Sequence, residues 1–501
     1  MKRTTKILAL VLALVMLLGT LAACVVPEDP PKDTTPSTKA PSTGDDPNAT
    51  ETTKPDETPT PTKMYDGETY TILGKDEYSN TTPARDIIYL ESEGNSSINL
   101  AVRDRNNYIY DTYGVTIEGR FVDQMLNDEI HAADAGLSIC EAMTEGFTNY
   151  STLIDYGYLM DLKTISPYLN LSSSVWSQEC IKNMSVANRL YFVAGDIMIT
   201  DKMGCWSVAF NRDLIKNNNL ENPYDLVDSG NWTYDKMYEL GLGVCDKSSY
   251  DPDDYFNITW GIATDSSSNY MVWQGCGVTL IQKDPTTDLP YLGPLTEGSY
   301  DAMMLTARIQ FNTEITIMQD NMKGITGGNF EGVIKLFQIG HALFKIGSMS
   351  VVEWMREYDS DFGVLPMPKS DPAQEKYYSS QSSTFAYALA IPIYCRDTEM
   401  TAFITQALCE ASTDTLLNAY YDKTLVYKGL RRVEDVKMLN LVFDGRIFDL
   451  SMVFGWAQPL MSQIAAAKNE SKVKSIKSKY DSYKKNIDKA INDFLVKHEM
   501  A

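Results

Sequence analysis

From Pro27 to Lys63 the chain has no large apolar side chain. Pro, Thr, Ser, Asp and Lys dominate this tract, which cannot bury enough apolar surface to offset its chain entropy. It is expected to stay disordered, its prolines favouring extended segments that rise ~3.1 Å per residue. The tract thereby separates the part of the chain that can fold from what precedes it. Ahead of it, Lys2, Arg3 and Lys6 form a basic head, residues 7–18 are apolar, and small residues lead to Ala22, Ala23 and Cys24. That is the three-part layout of a secretory signal. The apolar run falls short of the ~20 residues that a membrane-spanning helix needs.

Residues 64–501 form the body, a length that implies two or more domains or lobes. The formal net charge is −23, and loss of the basic head with the signal makes it more negative still. Such a surface argues against nucleic acid and against electrostatic docking on anionic lipid. Besides Cys24 the chain carries Cys140, Cys180, Cys205, Cys245, Cys276, Cys395 and Cys409. None forms a C-x-x-C pair, and an odd set in a large body does not read as a disulfide framework. Most lie in apolar surroundings, where small buried side chains are the expected role.

In "GETYTILGK", Tyr70 and Ile72 alternate and predict a strand ending near Gly74. Ser97 begins a helical pattern of Ile98, Ala101, Val102, Ile109 and Tyr113, which Gly114 stops. "VTIEGRF" then reads as a strand, "NDEIHAADAG" as a helix and "LSICEAM" as a further strand. This alternation predicts a largely parallel sheet. Ligands of such sheets sit at the carboxyl ends of the strands, which points to the loops 74–78 and 144–150. Another helix is predicted to start at a cap near Thr233. In the C-terminal stretch, Tyr480, Tyr483, Ile487, Ile491 and Phe494 share one face of an amphipathic helix packed on the body.

Enzyme constellations find little support. His131, His341 and His498 are the only histidines; the first two lie in apolar-periodic segments and read as structural. They are too few and too scattered for a zinc site. No H-E-x-x-H, G-x-S-x-G, Walker A or G-x-G-x-x-G pattern occurs. The acidic pairs in "DPDDYF" and "DSDFG" read as solvated surface. A glycosidase would need two carboxylates ~5–9 Å apart in space, and calcium at "DPDD" lacks the spacing of a known loop. Neither a catalytic residue, a metal nor a cofactor is assigned.

Two resemblances sharpen this reading. Leu21-Ala22-Ala23-Cys24 resembles the lipobox of bacterial lipoproteins, which implies lipidation of Cys24 and cleavage before it. "AFNRDLIKNNNLENPYDLVDSGNWTYDKM", "FQIGHALFKIGSMSVVEWMREYDSDFGVLPMPK" and "YALAIPIYCRDTEM" resemble, in order, blocks of the extracellular solute-binding proteins of ABC importers, carbohydrate type. The match extends from about Tyr70 to about Trp456. It implies an α/β, two-lobed periplasmic-binding-protein-like fold with an interlobe cleft, following the disordered tether. The expected division is a signal peptide at 1–23, a lipid-anchored linker at 24–63, a first lobe of 64–203 with 390–450, and a second of 204–389 with 451–501. Crossings between lobes are expected near residues 203–207, 384–391 and 448–454. "GLSICEAM" departs from the Gly-Asp pair that relatives often carry there, which places the ligand in question.

The function implied is a lipid-anchored receptor on the outer face of the cell membrane. It captures a small solute, expected to be a sugar or oligosaccharide, and delivers it as a monomer to ABC permease subunits. Fold topology nominates Asp76, Glu77, Tyr78 and Glu145 in the first lobe as ligand contacts. In the second it nominates Asp265, Asn269, Tyr270, Trp273, Ser348, Met349 and Trp354. For each aromatic, core packing is the competing explanation. Trp232 and Trp260 are expected in the core. An exported carbohydrate-active enzyme with paired carboxylates, and a surface binding protein without a transport role, remain alternatives.

Overall fold

The computed structural model describes residues 64–75, 83–123, 125–165, 167–266, 268–322, 330–350, 361–384, 386–426 and 433–500. The strands are β1 (Thr69–Lys75), β2 (Thr116–Val122), β3 (Ala142–Gly146), β4 (Trp206–Asn211), β5 (Trp260–Thr264), β6 (Ile281–Lys283) and β7 (Pro290–Leu292). They continue with β8 (Thr316–Met318), β9 (Ala342–Ser348), β10 (Phe362–Leu365), β11 (Ser379–Ser380), β12 (Tyr387–Ala390) and β13 (Arg446–Ile447). Two sheets organise the body, in the orders β12-β3-β1-β2 and β10-β4-β9-β5-β8.

Local signals build the first sheet as expected. The Ser96 side chain accepts from the Asn99 amide and caps the Ser97–Tyr113 helix, and Gly114 ends it in the left-handed region at φ 74°. There a side chain would be strained and would press on the Asp66 backbone at 3.2 Å. β1 then pairs in parallel with β2 and β3. β3 begins later than "LSICEAM" suggests, because residues 137–141 lie outside regular structure before the strand. Ala142, Met143 and the rest of β3 are buried throughout. The Thr233 side chain caps the Tyr234–Leu242 helix, and Trp232 and Trp260 are buried in the second lobe.

Three segments join the two sheets. The chain leaves the first lobe after the short Thr200–Met203 helix and enters β4 at Trp206. It returns before Tyr387, where β12 pairs antiparallel with β3, and crosses again through β13, which pairs with β11. Residues 387–389, assigned from sequence to the second lobe, therefore belong to the first sheet. A larger correction concerns the Val433–Asp444 helix, assigned from sequence to the first lobe. It packs on β10, and its Asp435 accepts from Arg212 at 2.6 Å in the second lobe. Its apolar face is equally suited to either sheet, so periodicity alone does not choose between them. The C-terminal segment touches both lobes: Asn269 donates to the Ile464 and Ala465 carbonyls, both at 3.0 Å, and Tyr480 to the Gly293 carbonyl at 2.6 Å, while Lys497 pairs with Asp155 at 2.6 Å and Arg189 donates to the His498 carbonyl at 3.2 Å.

A buried polar knot ties the crossings together. Asp201, wholly buried, accepts from Arg446 at 2.6 Å. The Asp201 carbonyl accepts from the Gln381 side chain, whose oxygen in turn accepts from Cys205 at 3.1 Å. Each crossing thus contributes at least one member.

All seven described cysteines are unbridged. Of the histidines, His341 lies 2.6 Å from the Phe256 carbonyl through Nδ1 and serves the core. His131 instead faces solvent on the Met125–Asp134 helix. Two residues earlier, Glu129 is 3% exposed, and its carboxylate lies 3.9 Å from the Cys140 thiol. Burial pushes its pKa up to about 7, against the pull of Arg120 and Cys140. The folded state therefore keeps this proton to a higher pH than the unfolded chain does. The stability it contributes is full below the ordinary carboxylate range and is lost as the pH rises towards 7. Glu129→Gln is expected to flatten this dependence and to be more stable than the parent at pH 8 by about 1–3 kcal/mol. Urea denaturation at pH 5 and pH 8 checks this, and an unchanged difference between the two pH values would reject it.

Candidate functional site

Strand directions decide where the two lobes present their loops to each other. β4 starts directly after the first crossing and runs antiparallel to β9, so that crossing lies at the carboxyl end of β9 and of its parallel neighbour β5. β12 starts directly after the second crossing and runs antiparallel to β3, so that crossing lies at the carboxyl end of β3 and of β1. The carboxyl ends of both sheets therefore flank the crossing segments, where a cleft between lobes binds ligands in folds of this type.

In the first lobe Glu145 stands at this end. It is 4% exposed, and its Oε1 accepts from the Gly146 amide at 2.7 Å. Burial pushes its carboxyl above the usual range, and the Gly146 amide opposes this. Tyr150 fixes the strand end: its hydroxyl accepts from the Glu145 amide at 3.0 Å and donates to the Ala388 carbonyl at 2.6 Å. Residues 144–146 are thus strand rather than loop, and the Phe147–Tyr156 helix follows at once.

In the second lobe a polar cluster forms around Asp265. Ser268 donates to its carboxylate from both the amide, at 3.1 Å, and the hydroxyl, at 2.8 Å. Trp206 lies opposite Ser348 in the sheet register and directs its indole N–H to the Ser268 hydroxyl at 3.4 Å. The hydroxyls of Ser348 and Ser350 meet at 2.6 Å. Lys345, 2% exposed, sits in the register between Ala209 and Ala263 and donates to the Ile346 carbonyl. Burial drives its pKa down to about 8, with Asp265 holding it up. Thr144, in the middle of β3, and Thr264, at the end of β5, each keep a buried hydroxyl with no hydrogen-bond partner among the described residues.

The nominated residues divide into three groups. Glu145, Asp265 and Ser348 stand at the strand ends. Asn269, Tyr270, Trp273 and Met349 are buried and engaged like those three, but lie beyond the strand ends. Asn269 holds the C-terminal segment, Tyr270 lies 3.3 Å from the Ser451 hydroxyl, Trp273 donates to the Ser299 carbonyl at 3.0 Å, and the Met349 amide donates to the Cys205 carbonyl at 2.8 Å. Asp76, Glu77, Tyr78 and Trp354 lie outside the described residues. Sequence reasoning passed over Trp206 and Lys345. The signal for Lys345 was present, as a lone charge within the apolar strand "ALFKIGS".

No protein-family profile matches the chain, and no curated protein matches it. Solved structures do. The GacH receptor of Streptomyces glaucescens, determined unliganded and with acarbose, is similar over 84% of this chain and 99% of its own, with a TM-score of 0.55 at 12% identity. An ABC substrate-binding protein from Listeria monocytogenes, in complex with cycloalternan, is similar over 85% of this chain and 100% of its own, with a TM-score of 0.52 at 11% identity. A solute-binding protein from Thermotoga lettingae bound to α-D-tagatose covers 84% and 100%, with a TM-score of 0.52 at 11% identity. The chain has the fold of ABC-transporter solute-binding proteins. In a solute-binding fold the polar strand ends of both lobes and the crossings beside them are parts of one arrangement. Among the described residues, no group of three His, Cys, Asp or Glu could hold a metal ion, and no helix is long and apolar enough to cross a membrane.

Proposed function

We propose that this chain is a solute-binding receptor for a sugar or oligosaccharide that serves an ABC permease. The observation that carries the reading is the strand-end cluster of the second lobe. There an indole, a carboxylate and paired serine hydroxyls meet beside the crossing segments, with Glu145 at the matching end of the first lobe. Sugars present C–H faces suited to an indole and hydroxyls suited to carboxylates and serines. The similar structures bound to acarbose, cycloalternan and tagatose support the same ligand class. Asp76, Glu77, Tyr78 and Trp354 complete the proposed contact set. Lobe closure about the three crossings holds the solute until the permease receives it.

The test is a thermal-shift and calorimetric screen against mono- and oligosaccharides, with peptides and amino acids as controls. A ligand at 100 times its Kd stabilises the fold by about 2.7 kcal/mol. A sugar that shifts the transition and is recovered unchanged supports the receptor, and a cleaved sugar supports a carbohydrate-active enzyme instead. If sugars give no shift, the carbohydrate reading fails.

The lipobox-like residues add an anchored location at the outer face of the membrane, with the tract 24–63 as tether. Cys24→Ser is expected to move the protein from the membrane fraction to the soluble exported fraction. The mature N-terminal peptide of the parent should carry a diacylglycerol mass. An unmodified Cys24 in the membrane fraction would overturn the anchor.

A further inference from the structure

The turn at residues 186–189 belongs to the first lobe, since Val193 just beyond it bridges to Leu389 of β12. Its partners belong to the second. The β6–β7 hairpin follows the Ser268–Gln274 helix, whose Val272 carbonyl accepts from Tyr234 at 2.9 Å. The C-terminal helix, Glu470–Lys497, is fastened to the Gly293 carbonyl through Tyr480. From the hairpin, Lys283 donates to the Ser185 carbonyl at 3.0 Å and to its hydroxyl at 2.7 Å. Asp288 accepts from the Ala187 amide at its carbonyl, 3.1 Å, and from the Asn188 amide at its carboxylate, 2.9 Å. Lys283 and Asp288 are themselves paired at 2.6 Å. From the C-terminus, the His498 and Glu499 carbonyls accept from Arg189 at 3.2 and 3.4 Å. Lys497 and His498 also reach Asp155, near the end of the Phe147–Tyr156 helix, at 2.6 and 3.2 Å.

The backbone marks the same place. Six described non-glycine residues have positive φ, and four of them lie in these segments: Ala187 at 50°, Asn188 at 63°, Asp288 at 60° and Glu499 at 53°. The left-handed region is unfavourable for residues with a side chain, for alanine and glutamate more than for asparagine or aspartate. It persists where surrounding contacts over-determine it, and such positions concentrate at clamps and switch regions. Here each strained residue presents a group to the other lobe. These groups are the Ala187 and Asn188 amides, the Asp288 carbonyl and carboxylate, and the Glu499 carbonyl. None of these contacts takes part in either main sheet, and the three crossings already join the lobes.

We propose that this clasp is a releasable catch between the lobes. Lys283, Asp288 and residues 497–499 grip the 185–189 turn and Asp155, fix the lobes in the arrangement described here, and let go before the lobes rotate about the crossings. A hydrogen bond weakens steeply once its partners separate or tilt, so a rotation that draws the two sides apart breaks the set together. Each bond is of modest net strength by itself, which is what allows the catch to yield. The proposal rests on the lobe motion of the proposed function and not on the identity of the solute.

The Ala187 and Asn188 amides donate across the lobes, so their hydrogen exchange reads the catch directly. The test is exchange and small-angle scattering of the full chain without solute, so its outcome is independent of the sugar reading. In the parent these amides are expected to exchange well below the rate of an unprotected turn. In Arg189→Gln/Lys283→Gln, exchange over residues 186–189 should quicken at least tenfold and the radius of gyration should rise, while β3 and β9 keep their protection. Asp155→Asn/Lys497→Gln, at two exposed positions where the folded state is expected to persist, should raise the radius by less. The control Lys477→Gln, which loses its Glu297 contact within the second lobe, should leave both readouts unchanged. Unprotected turn amides in the parent would overturn the proposal. So would faster exchange with an unchanged radius in the double variants, since the clasp would then be a local contact that does not hold the lobes.

Discussion

Arg446→Ala is expected to destabilise the fold by roughly 3–5 kcal/mol, the range for removing one partner of a buried ion pair. The reason is what it strands. Asp201 is wholly buried, and its Oδ2 loses the 2.6 Å contact with Arg446, leaving Lys202 at 3.4 Å from Oδ1 as its nearest cation. A carboxylate held there without its main partner must remain charged in an apolar setting or take up a proton, and either is unfavourable. The double variant Asp201→Leu/Arg446→Met separates this cost from the worth of the pair. It removes both charges, nearly keeps the volume and leaves buried Lys202 with Asp196 at 3.5 Å, so much of the lost stability should return. Denaturation of the three proteins decides the matter. If the double variant is as unstable as Arg446→Ala, the loss comes from packing around the crossing and not from a stranded charge.

Lys345→Met is expected to act in the opposite direction and stabilise the chain at pH 7 by about 2–3 kcal/mol. Lys345 is 2% exposed, and burial brings its pKa down to about 8 from the ordinary lysine value. The unfolded chain therefore binds a proton that the folded chain releases between pH 8 and the lysine range. In that interval the parent gains stability as the pH rises. Below pH 8 both states are charged, and the full desolvation penalty falls on the folded one. The advantage of Lys345→Met should thus be greatest at pH 7 and shrink towards pH 10. A gain that is the same at both pH values would show that methionine packs better for reasons unrelated to charge. On the proposed function the same substitution weakens sugar binding, since the ammonium group beside Asp265 disappears. Stability and affinity then change in opposite senses, a combination expected where a buried charge is kept for a ligand.

Much of the fold was legible because the signals that specify it are local. Ser96 and Gly114 bound their helix through a side-chain cap and a left-handed residue, both set within a few positions. The alternation in β1 and the apolar face of the C-terminal helix are likewise written in consecutive residues. The site was legible only in outline. Topology nominated Glu145, Asp265 and Ser348 at strand ends, but it also nominated Tyr270 and Trp273, which lie in the core. An aromatic residue on a short buried helix has the same sequence pattern whether it faces a cleft or a neighbouring helix. Trp206 was missed for the converse reason: it reads as the first residue of an apolar strand, and only its register opposite Ser348 brings it to the strand-end cluster.

The amino-acid sequence by itself determined that the body is α/β and where helices such as Ser97–Tyr113 begin and end. Each of these follows from composition or from contacts within a turn or two of chain. The tertiary structure alone decided that the Val433–Asp444 helix covers the second sheet, that Lys345 lies beside Asp265, and that Asp201 meets Arg446 across 245 positions of sequence. Those pairings depend on sheet order and on how the crossings bring distant segments together. Burial then fixes their energies, because a charge drawn from water must find its partner wherever the fold has put one.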